Sequence, residues 1–509
     1  MTVRLTPHPL TREEVVRVAR AGEELEISEE SLARVRRTRE DIEAMVRSGT
    51  PVYGVSTGFG SLANTFVEPS KRTQLQRSLV RSHAAGLGDW VEDDVVRAMM
   101  VCRLTTLASG VAGVREETVR AYAALVNQSV TPGVHEFGSL GCSGDLAPLA
   151  HVALVLMGEG VARVNGEWLE GSRALAAAGL GPVTLAEKEG LALLNGTDGM
   201  LGHLILALED FRVLLDTLDA AAALSIQALR GTDRVFTAEL QALRPHPGQA
   251  TSAARILALL ADSPLVASHV NDTSQIQDAY SLRCAPQVHG AARDTWAHAA
   301  RVADVELAAT IDNPSVLEGG RLSSNGNFHG APVAYVLDFL AVASADVASM
   351  SERRTDRLLD VHRNFGLPPF LADDPGVDSG LMIAQYTQAG LVSEMKRWAT
   401  PASVDSIPSS AMQEDHVSMG WHAGRKLRRS LEALARVVAI ELVAGTRAMM
   451  LRGVDGASPA TRVVIDLVSD LGGGPGPDRF LAPELAAVAS AVADGSIARV
   501  VNSVLGEGE

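Results

Sequence analysis

Four long Ala- and Leu-rich runs, at 199–230, 291–311, 332–358 and 416–452, dominate the chain beyond Asn195. Strand signals are nearly absent there, and apolar patterns of this length read as helices. Helices of this kind bury their faces against one another, which predicts an elongated bundle. The 199–230 run carries Glu209, Asp210, Arg212, Asp216 and Asp219, a polar stripe that suits a bundle helix and not a bilayer span. Aromatic residues are only 4% of the 509, so the core is expected to be built from Ala, Leu and Val.

The earlier part of the chain is more mixed. Thr11-Arg12-Glu13-Glu14 is a capping box that opens a short helix, and Ser28 caps a longer one ended by Gly49 and Pro51. Residues 50–66 read as a Gly/Ser/Thr loop holding Tyr53, and helical pattern resumes at 72–83 and 91–109. A Gly-rich segment fills 129–146, a helix is expected from Pro148 to Met157, and Val164-Asn165-Gly166 marks a small hairpin. Polar loops are expected at 231–250, 267–290, 312–330 and 398–415. The reading is a mainly α protein, with a mixed N-terminal region at 1–198 and a long-helix bundle at 199–509 forming one integrated unit.

A formal net charge of −16 has the wrong sign for a phosphate backbone, and no Lys/Arg block is present. Both observations argue against nucleic acid and anionic membrane as partners. Cys102, Cys142 and Cys284 have no paired spacing; they read as the reduced thiols of an intracellular protein and assemble no zinc motif. The first residues lack the apolar stretch of a secretory signal, and no segment reads as both apolar and long enough to cross a bilayer. A cytoplasmic location is the expectation.

Within the Gly-rich segment the chain reads Gly138-Ser139-Leu140-Gly141-Cys142-Ser143-Gly144-Asp145-Leu146-Ala147-Pro148-Leu149. Cys142-Ser143-Gly144 can cyclise on its own backbone. Attack of Gly144 N on the Cys142 carbonyl carbon, with dehydration that includes the Ser143 hydroxyl, gives a small ring bearing an exocyclic methylidene. That group is a strong electrophile, which no ordinary side chain supplies. Glycine suits position 144 because the closing turn needs a backbone conformation that a Cβ obstructs. Asp145 stands where a carboxylate can handle the protons of dehydration. Taken alone, a Ser-Gly pair is more often a loop. The hydrolase pattern Gly-x-Ser-x-Gly fails, because Asp145 stands where it needs glycine.

Other polar segments hold further candidates, as expected of functional residues on a helical scaffold. Gln277, Tyr280 and Arg283 are spaced i, i+3, i+6, so a helical turn groups them loosely. Arg283 offers a fork for a carboxylate, or caps a helix end. Ser409-Ser410-Ala411-Met412-Gln413-Glu414-Asp415-His416-Val417-Ser418-Met419 puts two carboxylates beside a histidine. It matches no metal-ligand spacing, and an acidic helix N-terminus is its commoner explanation. His83, in Arg81-Ser82-His83-Ala84-Ala85-Gly86, ends a helix as a cap or as a binding residue. Asn195-Gly196-Thr197-Asp198 is by itself an ordinary turn, and no P-loop, Rossmann fingerprint or HExxH motif is present.

In this order, from about Tyr53 to Met419, the clusters resemble the aromatic amino-acid ammonia-lyase family. The most specific piece is Gly141-Cys142-Ser143-Gly144-Asp145-Leu146-Ala147-Pro148-Leu149. The others are Tyr53-Gly54-Val55-Ser56-Thr57-Gly58-Phe59-Gly60, Ser82 to Gly86, Leu194 to Thr197, Gln277 to Arg283, Asn327-Phe328-His329-Gly330 and Gln413 to His416. The resemblance implies that Cys142-Ser143-Gly144 becomes a methylideneimidazolone (MIO), formed autocatalytically with no external cofactor and no metal. It also implies a chiefly helical, fumarase/aspartase-like fold and a homotetramer whose sites draw on three subunits.

For the site, the resemblance implies Tyr53 as the base that takes the β-proton, Tyr280 as an aid in proton handling or in orienting MIO, and Arg283 as the carboxylate clamp. Asn195 and Gln277 would hydrogen-bond the substrate or the MIO oxygen, His83 and Glu414 would contact an imidazole, and Phe328 would form an apolar wall. A phenol, with an ordinary pKa of ~10, needs nearby positive charge or dipoles to serve as that base. The loop at 50–66 is expected to close over the site and exclude water.

The expected reaction is loss of ammonia from L-histidine to give trans-urocanate, the first step of histidine degradation. Tyrosine or phenylalanine elimination, or an MIO aminomutase, are the alternatives. Glu414 favours histidine, because it accepts from an imidazole N–H whereas a phenyl ring leaves the carboxylate unpaired. By resemblance, the phenylalanine and tyrosine lyases carry glutamine there. Cys142 stands in place of the family's usual alanine, Asp198 in place of a frequent glutamine, and Ser324-Asn325-Gly326 in place of Ser-Gly-Gly. The Cys142 side chain takes no part in the ring, so cyclisation is expected to survive.

Overall fold

The four Ala/Leu runs form the helices Asp198–Ala228, Ala285–Leu307, Ala331–Leu359 and Gly420–Arg452. The computed structural model describes residues 2–48, 57, 66–271 and 276–506. By contacts the chain divides into two units interleaved along the sequence. The first comprises Met1–Leu206, Ala299–Asp338 and Pro401–Arg425; the second comprises Ala207–His298, Phe339–Thr400 and Lys426–Glu509. The sequence pattern, by contrast, predicts a single division after residue 198.

In the first unit, Thr11 Oγ1 accepts from Glu14 N at 3.2 Å and Glu14 Oε2 accepts from Thr11 N at 2.8 Å, opening the helix Arg12–Ala21. Ser28 Oγ accepts from Ser31 N at 3.2 Å where Glu29–Ser48 begins. Arg72–His83 and Asp93–Ala108 fall where the periodicity puts them, and Leu146–Leu156 opens just ahead of Pro148. The hairpin Val161–Val164 with Glu167–Glu170 turns on Asn165 and Gly166, both left-handed, as its two-residue turn requires. Strands Thr2–Leu5 and Glu24–Ile27 pair in parallel, which no sequence signal announced.

In the second unit, small residues pack the interior: Ala220, Ala221, Ala222 and Ala223 are all buried beside Leu224 and Ile226. Arg354 and Glu441 form a fully buried ion pair there, with Ser225 Oγ donating to Glu441 Oε1 at 2.7 Å.

Three expectations need correction. The segments 231–250 and 267–290 are not simply loops, since Ala238–Ala242, Pro247–Leu260 and Tyr280–Arg283 are helical and Ala285–Leu307 begins inside the second. Pro247 stands in a first helical turn, where its missing N–H costs nothing, so it signals a start. Second, Ala331–Leu359 is long and apolar enough, by length and composition, to cross a membrane. Within its most apolar window 61% is buried inside the structure, and an aliphatic core helix meets the same measure. Third, Glu414 and Asp415 do not open a helix, since the next one begins at Gly420. Of the expected loop at 50–66, Thr57 and Phe66 are described and join in an isolated antiparallel bridge.

Candidate active site

The triplet Cys142-Ser143-Gly144 lies between the strand His135–Phe137 and the helix Leu146–Leu156. Three helices begin around this segment: Leu146–Leu156 itself, Asp198–Ala228 and Gly420–Arg452. Asp145 N donates to Gly196 O at 2.7 Å, and Met419 N donates to Leu140 O at 3.0 Å, tying the segment to the approaches of the other two. Helix starts present unpaired N–H groups and positive potential, which favours electron-rich atoms there. Gly141 and Gly144 have φ of 69° and 79°. A Cβ on Gly144 would stand 2.1 Å from Gly196 O, so no side chain fits at that position.

Asp145 is fully buried beneath the triplet. Its Oδ1 accepts from Ser139 Oγ and its Oδ2 from Met200 N, both at 2.8 Å. Burial pushes its carboxyl up to about 7, so it exchanges a proton near neutrality.

Around Ser143 the polar contacts converge. Its hydroxyl donates to Glu414 Oε1 at 3.3 Å, while Ser409 Oγ donates to Glu414 Oε2 at 3.2 Å. Asn195 Nδ2 donates to Ser143 O at 3.3 Å. Asn195 is 3% exposed, and its Oδ1 is buried with no partner. Burial, and then the Glu414 carboxylate, push the Cys142 thiol up to about 12, so it stays protonated beside the triplet.

His83 closes the helix Arg72–His83, and its Nδ1 lies 2.9 Å from Leu79 O. A carbonyl only accepts, so Nδ1 carries the proton and Nε2 keeps a lone pair. Burial holds this imidazole below its ordinary range, partly offset by the Leu79 carbonyl and by Glu414. His83 is therefore both a helix cap and a neutral acceptor.

Glu414 ends a small closed loop, with Ser409 N donating to Glu414 O at 2.8 Å and Glu414 N to Ser409 O at 3.3 Å. Inside it Ser410, Ala411 and Met412 are all left-handed, at φ of 49°, 53° and 68°. His329 Nε2 and His416 Nδ1 are 3.2 Å apart, which ties the segment carrying the half-buried Phe328 to the one carrying Glu414.

The structure thus brings Cys142, Ser143, Gly144, Asn195 and Glu414 together in the first unit, which also carries His83 within electrostatic reach of Glu414. Gln277, Tyr280 and Arg283 belong to the second unit. There the Arg283 guanidinium sits over the Tyr280 ring, 4.6 Å from its centre, and Arg283 Nε donates to Asp278 O at 3.0 Å. The helical turn is Tyr280–Arg283, so Gln277 lies before it and the i, i+3 grouping holds for one pair of the three. Tyr53 lies outside the described residues. Ser139 and Ser409, which hold Asp145 and Glu414, lie within the 138–149 run and the 409–419 cluster, but no sequence signal gives them that role.

A tyrosine aminomutase from Streptomyces globisporus superposes on this chain with a TM-score of 0.94 at 37% identity, over 99% of both chains. A histidine ammonia-lyase from Trypanosoma cruzi does so with a TM-score of 0.91 at 36% identity, over 99% of this chain and 96% of that one. Fold and site together therefore define a helical enzyme of the lyase and aminomutase class. The family model for aromatic amino acid lyases matches residues 10–470, and a curated histidine ammonia-lyase from Streptomyces coelicolor is 59% identical over 499 residues, 98% of each chain. This chain belongs to the aromatic amino acid lyase family.

Proposed function

We propose that this protein eliminates ammonia from L-histidine to give trans-urocanate, acting in the cytoplasm as a homotetramer with shared sites. The observation that carries the reading is Glu414, a carboxylate 3.3 Å from the triplet serine, in a chain 59% identical to a protein named for that reaction.

The residues at 142–144 fit an MIO group. Gly144 fills a cradle that a Cβ would overrun, and Asn195 presents an N–H to the Ser143 carbonyl oxygen, which the ring retains. Its buried, unpaired Oδ1 remains for a donor on a bound molecule. When formed, the group supplies an electrophile that addresses the poor leaving ability of the amine or the low acidity of the β-proton. No metal or external cofactor enters this scheme.

The chain's own residues would do the rest. Glu414 accepts the imidazole N–H, and His83, held neutral by burial with its proton on Nδ1, contacts the same ring. Phe328 supplies an apolar wall. Following the family resemblance, Arg283 holds the carboxylate, Gln277 hydrogen-bonds the substrate, Tyr53 takes the β-proton and Tyr280 assists. A tyrosine or phenylalanine ring would leave Glu414 Oε1 desolvated and without a donor once Ser143 is consumed, which costs about 1–3 kcal/mol.

Initial rates on histidine, tyrosine and phenylalanine, with intact mass of the same protein, test this reading. Urocanate and ammonia formed from histidine by a chain lighter by two waters support it. A β-amino acid product without free ammonia would overturn it in favour of an aminomutase.

A further inference from the structure

Arg103 stands in the middle of the helix Asp93–Ala108 with Met99, Met100, Val101 and Leu104 as buried neighbours, and it is itself wholly buried. An arginine in such a place costs far more desolvation than an apolar residue unless its partners are well placed. Its two terminal nitrogens have such partners: Nη1 donates to Asn195 O at 2.6 Å and Nη2 to Ile311 O at 2.7 Å, with Asp198 Oδ2 3.4 Å from Nη1, while the buried Nε has no hydrogen-bond partner among the described residues. Two of these three partners bracket the Asn195–Asp198 turn.

The Gly196 backbone is closely bounded on two sides. A Cβ on Gly196 would stand 2.7 Å from Arg103 Nη1 and 2.4 Å from Asp198 Oδ2. A Cβ on Gly144 would stand 2.1 Å from Gly196 O and 2.4 Å from Gly196 C. Gly144 and Gly196 pair in a parallel bridge, and Asp145 N donates to Gly196 O at 2.7 Å. The guanidinium, the 195–198 turn and the triplet are therefore stacked in contact.

We propose that Arg103 is a positioning residue for cyclisation, the backstop that holds the Asn195–Asp198 turn against Cys142-Ser143-Gly144. The inference rests on the MIO reading of the triplet. In that reaction Gly144 N bonds to the Cys142 carbonyl carbon, and the Gly144 amide proton passes to the carbonyl oxygen. That hydroxyl then leaves as water with the Ser143 amide proton, forming a carbon–nitrogen double bond. A second water takes the Ser143 Cα proton and side-chain hydroxyl, leaving the methylidene, and no oxidant is needed. Closure needs Gly144 N pressed toward the Cys142 carbonyl. A turn free to retreat from the triplet would relieve that compression and draw the Asn195 amide away from Ser143 O.

The test is intact mass, read beside far-UV circular dichroism and thermal unfolding, on wild type, Arg103→Met, Arg103→Lys and Arg447→Met. Arg447 is a buried arginine of the second unit whose Nε donates to Gly474 O at 3.3 Å, so it controls for loss of a buried arginine in general. The expected result is loss of two waters in wild type and in Arg447→Met, with folded Arg103→Met retaining both waters in most molecules. Arg103→Lys should fall between them, because one ammonium cannot reproduce the two-carbonyl fork.

Complete loss of both waters in Arg103→Met would overturn the proposal. So would equal retention in Arg447→Met, which would make the effect one of general destabilisation. If Arg103→Met does not fold, Asp198→Asn loosens the same guanidinium, and an unimpaired mass change there and in Arg103→Lys overturns the proposal equally. A wild-type chain at its unmodified mass would remove the MIO reading itself, and this inference with it.

Discussion

The Ser143 hydroxyl donates to Glu414 Oε1 at 3.3 Å, so the serine that cyclisation would consume and the carboxylate that would read the substrate are neighbours. The contact joins residues 271 positions apart, and it is completed from the far side by Ser409 on Glu414 Oε2. Glu414 is thereby held at the triplet by its own loop.

Replacing that carboxylate by its amide tests the role of the charge with little change of shape. Glu414→Gln should lower kcat/KM on histidine by about 10–100-fold, since a hydrogen bond to a charged group contributes ~1.5–3 kcal/mol. The ratio of tyrosine or phenylalanine rate to histidine rate should rise at the same time. Initial rates on the three amino acids give both numbers, and an unchanged ratio would mean that Glu414 does not read the ring.

Gly144→Ala tests the cradle. The new Cβ would meet Gly196 O at 2.1 Å, a backbone atom that cannot rotate aside, at a φ of 79° that side chains disfavour. The left-handed conformation alone costs about 1–2 kcal/mol. We expect a chain at unmodified mass with no measurable lyase activity and a lower melting temperature. Full dehydration would show that the turn tolerates a side chain.

How much of this is legible in the sequence depends on the range of the interaction. Helix Arg72–His83 matches its periodicity, and the Thr11 box and the Asn165-Gly166 turn are local chemistry that three or four residues suffice to specify. The triplet and Glu414 can be singled out as motifs, but their contact cannot, because nothing local brings residues 143 and 414 together. The left-handed run at Ser410, Ala411 and Met412 carries no glycine or asparagine to announce it. Arg103 is a signal of another sort, a charge inside an apolar run, yet its partners Asn195, Asp198 and Ile311 are distant in sequence.

Asp145 makes a prediction about pH. Its folded carboxyl is raised by burial from 3.8 to about 7, so the unfolded chain ionises first as pH rises. The contribution of this group is fully present below pH 3.8 and is lost progressively as pH climbs through about 7. Asp145→Asn removes the titration, so the difference in melting temperature between variant and wild type should shift in the variant's favour across that window. A difference independent of pH between 4 and 8 would mean that Asp145 is ionised throughout, like an exposed carboxylate.

The loop that presents Glu414 makes the last prediction. Ala411 is exposed and sits at φ of 53°, between two other left-handed residues, in a turn closed by the two Ser409–Glu414 backbone hydrogen bonds. Left-handed backbone costs an L-residue about 1–2 kcal/mol. Glycine avoids that cost but gives up roughly 0.5–1 kcal/mol of unfolded-state entropy relative to alanine. Ala411→Gly should therefore stabilise the protein by about 0.5–1 kcal/mol, read as a higher denaturant midpoint at unchanged slope. Ala411→Val, with a branched Cβ in the same conformation, should move the midpoint the other way. Were both variants to destabilise equally, the turn would not be left-handed at this position.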